Sequence, residues 1–346
     1  MTKGQVLMPY VPTSWEDLGE DLKRLFREIT CFASSNVSVI LREAINQSTS
    51  ITPPAKSNFI AHCIDLGISE NDTPLIESCW DFVDYQLNRP DMCGGNAALF
   101  TNEGFQTGSP WHGDILNAPV LFLSFNPAVT QGCYFPRWHV GNDTFTFAGN
   151  GTPAKSDQQV YEFLRDRLIN TYIDYNGTPH AWTVQGSSFP VSYWRGMYKT
   201  MNILAGISQG SRTIADHCRR LMRSVLSAEI IFWGSKKSEC ATETERLLYF
   251  WERFTVPMLE KCGAKIIFLT GGPSHRVFHE TLLANGGIYT PKHYRNRFGE
   301  DFVIAAINHI STETYKNYDA VAKYLRTDQP GIVPQALSEI QRLYHS

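Results

Sequence analysis

The sequence has no run of about 18 or more uncharged apolar residues, the length a membrane-spanning helix needs. Its opening stretch, "MTKGQVLMPYVPTSWEDLGEDLKRLF", lacks the apolar core and small-residue cleavage site of a secretory signal. It also lacks any C-x-x-C pair. The eight cysteines (Cys31, Cys63, Cys79, Cys93, Cys133, Cys218, Cys240 and Cys262) are scattered, with no histidine at metal-ligand spacing beside them. "GGPSHRVF" places two glycines before a helix but lacks the Gly-Lys-Ser/Thr ending of a phosphate loop, and reads as a tight strand-to-helix turn. No internal repeat or low-complexity tract is present. The expectation is a soluble cytoplasmic monomer with reduced core thiols, no metal cluster, no cofactor and no membrane partner.

What is present suits an ordinary globular protein. The chain of 346 residues is 42% hydrophobic, enough to bury one large core or two smaller ones. Its net charge of −3 hides an asymmetry. Residues 1–110 carry 7 Lys+Arg against 14 Asp+Glu, whereas residues 186–300 carry 16 against 9. Such a split fits either a polyanionic partner for the basic part or two segments that neutralise each other.

Residues 1–110 read as a helical N-terminal extension. In "SWEDLGEDLKRLFREITCF", Ser14 is placed to cap, and Leu18, Leu22, Leu25, Phe26 and Ile29 share one face. Residues 111–346 read as an α/β domain. Four near-continuous apolar runs, 120–125, 228–234, 264–272 and 301–310, alternate with amphipathic segments, which predicts a four-stranded, mostly parallel sheet covered on both faces. A loop-rich insertion occupies about 140–190, where Gly, Thr, Asn and Pro concentrate. In sheets of this kind ligands gather beyond the carboxyl ends of the strands, so the residues after each strand are the ones to read.

After the first run comes Ser124-Phe125-Asn126-Pro127-Ala128, and after the fourth Asn308-His309-Ile310-Ser311. The proline stops the strand and leaves the Asn126 amide both a donor and an acceptor, with which it can hold a water. His309 can donate to developing negative charge near neutral pH. Each has a plainer reading, Asn-Pro as a turn former and a lone histidine as a satisfied structural residue. Their common position at strand ends, with Tyr134 and Phe135 close behind, favours a site.

"VLFLSFNPA" resembles the first motif of the uracil-DNA glycosylase superfamily, in the Gly-x-Asn-Pro-Gly branch of mismatch-specific and single-strand-selective enzymes, and "NHIS" resembles the second, His-Pro-Ser. "YWRGMYKTMNILAGI" and "AKIIFLTGGPSHRVF" are similar to further segments of that family in the same order, over about Trp111 to Leu325. The resemblance implies a three-layer α/β/α fold and a metal-free, monofunctional DNA glycosylase that flips a base and leaves an abasic site. It implies that Asn126 positions the attacking water, that Phe135 or Tyr134 stacks on the base beside Phe125, and that His309 hydrogen-bonds the leaving base. Ile310 to Tyr315, with Ser311 and Thr312, would wedge into the duplex.

This chain departs from the family at Ser124 and Ala128, where glycine is usual, and at Ile310, where proline is usual. Uracil-reading members place an asparagine at the end of the second strand; here "FWGSKKS" offers Gly234, Ser235 and Lys236, the last two as base contacts. That change and the long insertion suit a roomier pocket. They point to glycosylases that strip hypermodified cytosine, such as glucosylated hydroxymethylcytosine, from phage DNA in antiviral defence. A uracil or mismatch repair glycosylase, a catalytically dead DNA binder of the same fold and a small-molecule nucleoside hydrolase are the alternatives.

Asp114, in "WHGDILNAP" before the first strand, either assists the water as a base or caps its own turn. Lys292, Arg295 and Arg297, interleaved with aromatics in "PKHYRNRFG", are the candidate phosphate contacts to DNA. A second basic run, "HCRRLMR", reads as a solvated surface.

Overall fold

The computed structural model describes residues 14–29, 55–87, 111–125, 138–141, 144–147, 153–154, 158, 161–162, 165, 191–232, 244–271, 274, 292–295, 301–308, 318–328 and 331–346. In chain order the elements are α1 (Glu20–Ile29), α2 (Lys56–Asp65), α3 (Thr73–Leu87), β1 (Trp111–His112), β2 (Val120–Ser124), β3 (Trp138–Gly141), β4 (Thr144–Phe147) and β5 (Pro153–Ala154). There follow α4 (Val191–Ala205), α5 (Ile214–Met222), β6 (Val225–Glu229), α6 (Thr244–Phe250), a π-helical turn (Trp251–Thr255) and α7 (Val256–Lys261). The last are β7 (Ile266–Thr270), β8 (Lys292–Arg295), β9 (Asp301–Ile307), α8 (Tyr318–Asp328) and α9 (Val333–His345).

The main sheet has the order β1-β6-β2-β7-β9-β8. Its four inner strands are parallel, and the two edges, β1 and β8, run antiparallel to them. The four parallel strands are the four expected, but the second stands earlier than its apolar run suggests. β6 is Val225–Glu229, in register with β2 from Val120↔Val225 to Ser124↔Glu229. Ile230, Ile231 and Phe232 are apolar because they are buried beyond the strand end, where Phe232 packs its ring edge against Phe250 and Phe254, both at 5.3 Å. The edges escape a sequence reading because β1 has two residues and β8 is polar, as exposed edges must be to resist further pairing. Part of the stretch read as loop is a second antiparallel sheet, β3-β4-β5, in which Gly141 pairs with Thr144. Its alternation of Thr and Phe in "TFTF" suits a strand with one face covered.

Each inner strand feeds two cores by the period-two alternation of its side chains. Leu121, Leu123, Leu226, Ala228, Ile267, Leu269 and Ile304 meet α1, α2, α3, α6 and α7 on one face. Val120, Phe122, Val225, Ile266, Phe268, Val303 and Ile307 meet α4, α5, α8 and α9 on the other, with Phe122 stacked on Phe268 at 4.9 Å. The N-terminal helices therefore cover the sheet. Leu22, Leu25 and Phe26 of α1 are buried in the same cluster as Leu121, and Phe26 tilts against Trp111 at 5.7 Å. Ser14 caps the 3-10 turn Trp15–Asp17, donating from N and Oγ to Asp17 Oδ2 at 2.9 and 2.8 Å, and α1 begins only at Glu20. The described cysteines, Cys63, Cys79, Cys218 and Cys262, are buried free thiols, and burial pushes Cys63 up to about 12.

Charge binds the N-terminal helices to the rest. Arg246 of α6, 3% exposed, donates to Asp81 at 2.5 Å and to Glu77 at 3.1 Å, both on α3. Lys56 of α2 reaches Asp81 at 3.2 Å, Tyr249 donates to Asp72 at 2.6 Å, and Lys261 of α7 faces Asp21 of α1 at 3.5 Å. Part of the charge asymmetry along the chain is thus neutralised inside the molecule. Arg246→Ala should lower the unfolding free energy by about 3 kcal/mol, because it takes the partner from Glu77 and leaves Asp81 only Lys56 in a largely buried seam. Lys56→Ala, at a half-exposed pair, should cost under about 1 kcal/mol. Urea titrations of the two variants check both.

On the opposite face His217 of α5, 1% exposed, joins three helices. Its Nε2–H donates to Asn202 Oδ1 at 2.9 Å, and the Tyr344 hydroxyl donates to Nδ1 at 2.6 Å, an arrangement that requires the neutral ring. Arg220 and Arg223, from the second basic run, bind the carbonyl oxygens of Tyr344 and Ser346 at the end of α9, where cations complement the helix dipole. Burial, then the Arg212 cation, holds His217 below its ordinary value of 6.5. The native state therefore binds fewer protons than the unfolded one below that pH, so stability falls as pH drops through this window. Unfolding free energies measured from about pH 7 to about pH 5 should decline less for His217→Gln than for the wild type.

Candidate functional site

The four parallel strands end on one edge of the sheet. From β2 the chain passes through α4 and α5 to β6 on one side, then returns through α6, the π turn and α7 to β7 on the other. The strand order thus reverses about β2, and in α/β sheets such a reversal, here beside the ends of β2 and β7, is the position where ligands bind.

The ends of these two strands carry hydroxyls. Ser124, the last residue of β2, and Thr270, the last of β7, share a hydrogen bond of 2.5 Å, and both are buried. Gly271, with φ of 87°, turns the chain away from β7 while its N–H donates to Ile307 O at 3.0 Å. Only a residue without Cβ takes that conformation readily. Ser274 then bonds back to Thr270 O at 3.2 Å, which closes the tight turn expected of "GGPSHRVF". On the other side of β2, Ile230 N–H donates to Ser124 O and Ile231 N–H to Phe125 O, each at 2.9 Å, so the exit of β2 is held on both flanks.

Four of the expected site residues are among the described ones. Phe125 is 7% exposed and belongs to the core under the N-terminal helices. Asp114 is buried in the turn between β1 and β2, at the amino end of the parallel strands. Its Oδ1 accepts from the N–H groups of Leu116 and Asn117 at 3.2 and 3.3 Å, and its Oδ2 from Asn117 Nδ2 at 2.8 Å. Those contacts are the turn-capping role. In β8, Lys292 pairs with Ile304 and Arg295 with Asp301, so this basic stretch runs along the outer edge toward the amino end of β9. Asn126, Tyr134, Phe135, Ser235, Lys236, Arg297, His309, Ser311, Thr312 and Tyr315 lie outside the described residues.

The structure adds Glu229 to the edge. It ends β6 opposite Ser124, and burial raises its carboxyl well above the usual glutamate range. The signal in the sequence was a single acidic residue inside the apolar run "LSAEIIFW". Among the described residues no group of three or more His, Cys, Asp or Glu could hold a metal ion, and no helix is long and apolar enough to cross a membrane. No protein-family model matches the chain, and no curated protein is similar to it.

Ser124→Ala should cost about 1–3 kcal/mol, since it leaves the buried Thr270 hydroxyl short of a partner. The double change Ser124→Ala/Thr270→Val should cost less than the sum of the single ones, and a double-mutant cycle in thermal or urea unfolding measures that coupling.

Proposed function

We propose that the chain is a metal-free, monofunctional DNA glycosylase that hydrolyses the N-glycosidic bond of a flipped base. The observation that carries this reading is the strand order. The two strands that bear the motif-like ends are the first and fourth parallel strands, β2 and β9, and they flank β7 with their carboxyl ends on the same edge. Adjacent strands lie about 4.8 Å apart, so the two exits stand about 10 Å from each other, a gap that a nucleoside can bridge. Asn126 follows directly on Phe125, and His309 directly on Asn308. Helices on both faces of the sheet agree with the three-layer α/β/α architecture that the resemblance implies.

In this reading Asn126 holds the water that attacks the anomeric carbon, and His309 donates a hydrogen bond to the departing base. Cleavage develops positive charge on the sugar and negative charge on the base, so a positioned water and a directed donor lower the barrier together. Tyr134 or Phe135 stacks on the extruded ring. Asp114, engaged at the far end of the strands, takes no part. The proposed substrate is a modified pyrimidine of the glucosylated hydroxymethylcytosine type. It is favoured over uracil because "FWGSKKS", after β6, offers Gly234, Ser235 and Lys236 where the resemblance implies the asparagine of uracil-reading members.

The test is alkali-revealed strand breakage with mass spectrometry of released bases, on unmodified, uracil-containing, mismatched, hydroxymethylated and glucosylated DNA. Release is expected from the glucosylated DNA. Asn126→Ala and His309→Ala should each slow it by about 10²-fold or more while leaving DNA binding nearly intact. Release from uracil DNA alone would assign the repair activity instead. Salt-sensitive binding with no release from any substrate would leave a DNA-binding protein without glycosylase activity.

A further inference from the structure

Between the β1–β6 edge of the sheet and the helices that cover it lies a small cavity, about 10 Å³ open to the centre of a water molecule. It is lined by Leu25 of α1, Trp111 of β1, Glu229 of β6, Phe232, and Phe254, Thr255 and Met258 of the π turn and α7. Most of this lining is apolar, yet two of the lining residues carry a polar atom buried without a hydrogen-bond partner, Trp111 Nε1 and, on the half-buried Glu229, Oε2. One is an obligate donor. The other belongs to a group that either accepts or, when protonated, donates. Each left alone costs about 1–3 kcal/mol, and an isolated buried carboxylate costs far more.

We propose that this cavity is a binding site for one ordered water, bridging the Trp111 indole N–H and a Glu229 carboxyl kept in its neutral acid form, and that ionisation of Glu229 loosens the seam between the sheet edge and its helical cover. The geometry meets the requirements for a buried water: room for about one molecule, and two to four polar partners. The water accepts from Trp111 and exchanges a hydrogen bond with the Glu229 acid, and Thr255 also lines the cavity. Neutrality follows from what surrounds the carboxyl. The charged side chains on the adjoining elements are engaged elsewhere, Lys23 with Glu16 and Glu20, Arg24 and Lys261 with Asp21, and Arg253 over the Phe254 ring. Glu252 and Glu260, the acids of the π turn and α7, would only add to the cost of a second negative charge, and His112 pairs with Ser227, two residues from Glu229 on the neighbouring strand. With burial as the one cause acting on it, the carboxyl stays protonated well above its ordinary value of 4.5.

The sign of the effect follows. The native state binds a proton that the unfolded state releases, so stability from this group is complete below about 4.5 and is lost as pH rises toward the raised value. Across that window the unfolding constant of the wild type should rise, relative to Glu229→Gln, by up to about tenfold per pH unit. Glu229→Gln keeps the shape and a hydrogen-bonding end but cannot ionise. Two measurements on the folded wild type stand beside the stability comparison. Infrared spectra in heavy water at neutral pH should contain a protonated-carboxyl band that Glu229→Gln lacks. In protein labelled with 15N-tryptophan, and assigned with Trp111→Phe, the Trp111 indole N–H should show a cross-peak to a long-lived water. Parallel pH profiles for wild type and Glu229→Gln, or an infrared band unchanged by that substitution, would overturn the neutral acid. Absence of the water cross-peak at a resolved Trp111 signal would overturn the water site.

Discussion

The whole architecture depends on β2 being buried on both faces and paired on both edges. Val120 and Phe122 serve one core and Leu121 and Leu123 the other, while β6 and β7 bond to its two sides in register. A strand in that position has no solvent-facing side, so its five residues are all buried and four are large and apolar. The exception is its last residue, Ser124, and that exception falls where the ladder ends. Hydrophobic burial of about 1.5–3 kcal/mol for each large side chain keeps the strand central, and the Ser124–Thr270 hydroxyl pair lets it end without stranding a polar group.

The two cores are closed by different means. The face under α4, α5, α8 and α9 is tied by a neutral network around His217 and by arginines on the last carbonyls of α9. The face under the N-terminal helices is tied by ion pairs at its rim, with Arg246 at their centre. Removing one partner of such a buried pair costs more than the pair itself contributes, so these ties act mainly to define one position for the helical layer. The N-terminal helices, which read as an appendage in sequence, thereby cover one face of the sheet together with α6 and α7.

Three of the four inner strands were legible at their observed places because both-face burial leaves an unbroken apolar run, as in Ile266–Thr270. The second was legible but displaced. Ser227 and Glu229 break the apolar run inside the strand, whereas Ile230 to Phe232 extend it past the strand's end, so the eye is drawn about three residues along. The edges were not legible, since β1 owes its pairing to the turn that Gly113 and Asp114 build, and β8 carries the charge that an exposed edge requires. Motif position was readable at Asn126 and His309 only as sequence adjacency to strand ends. The role of Asp114 turned on the direction of one turn, which spacing alone does not encode. Glu229 was hidden because a lone acid in an apolar run has no periodic signature, and its significance comes from the helices that close over it.

The two ends of the parallel strands are built on opposite principles, and this places the site. At the amino end the backbone itself fills the space. Gly113, with φ of 105°, lies where a Cβ would collide with the Val225 carbonyl oxygen, and Gly263 lies where one would collide with that of Leu116. Gly263 N–H donates to Ile115 O at 2.8 Å, and Asp114 accepts from the N–H groups of Leu116 and Asn117, so the turn is tied by its own groups. At the carboxyl end hydroxyls, an acid and the half-buried Asn308 line the edge, and the strand order reverses. An end sealed by glycine approaches gives rigidity to the strands that leave it, and the opposite end can then hold polar groups in fixed positions at a cost the two cores offset. The division of labour along β2, tight packing from Val120 to Leu123 and a hydrogen-bonded hydroxyl at Ser124, is therefore the physical basis on which a polar edge can be supported.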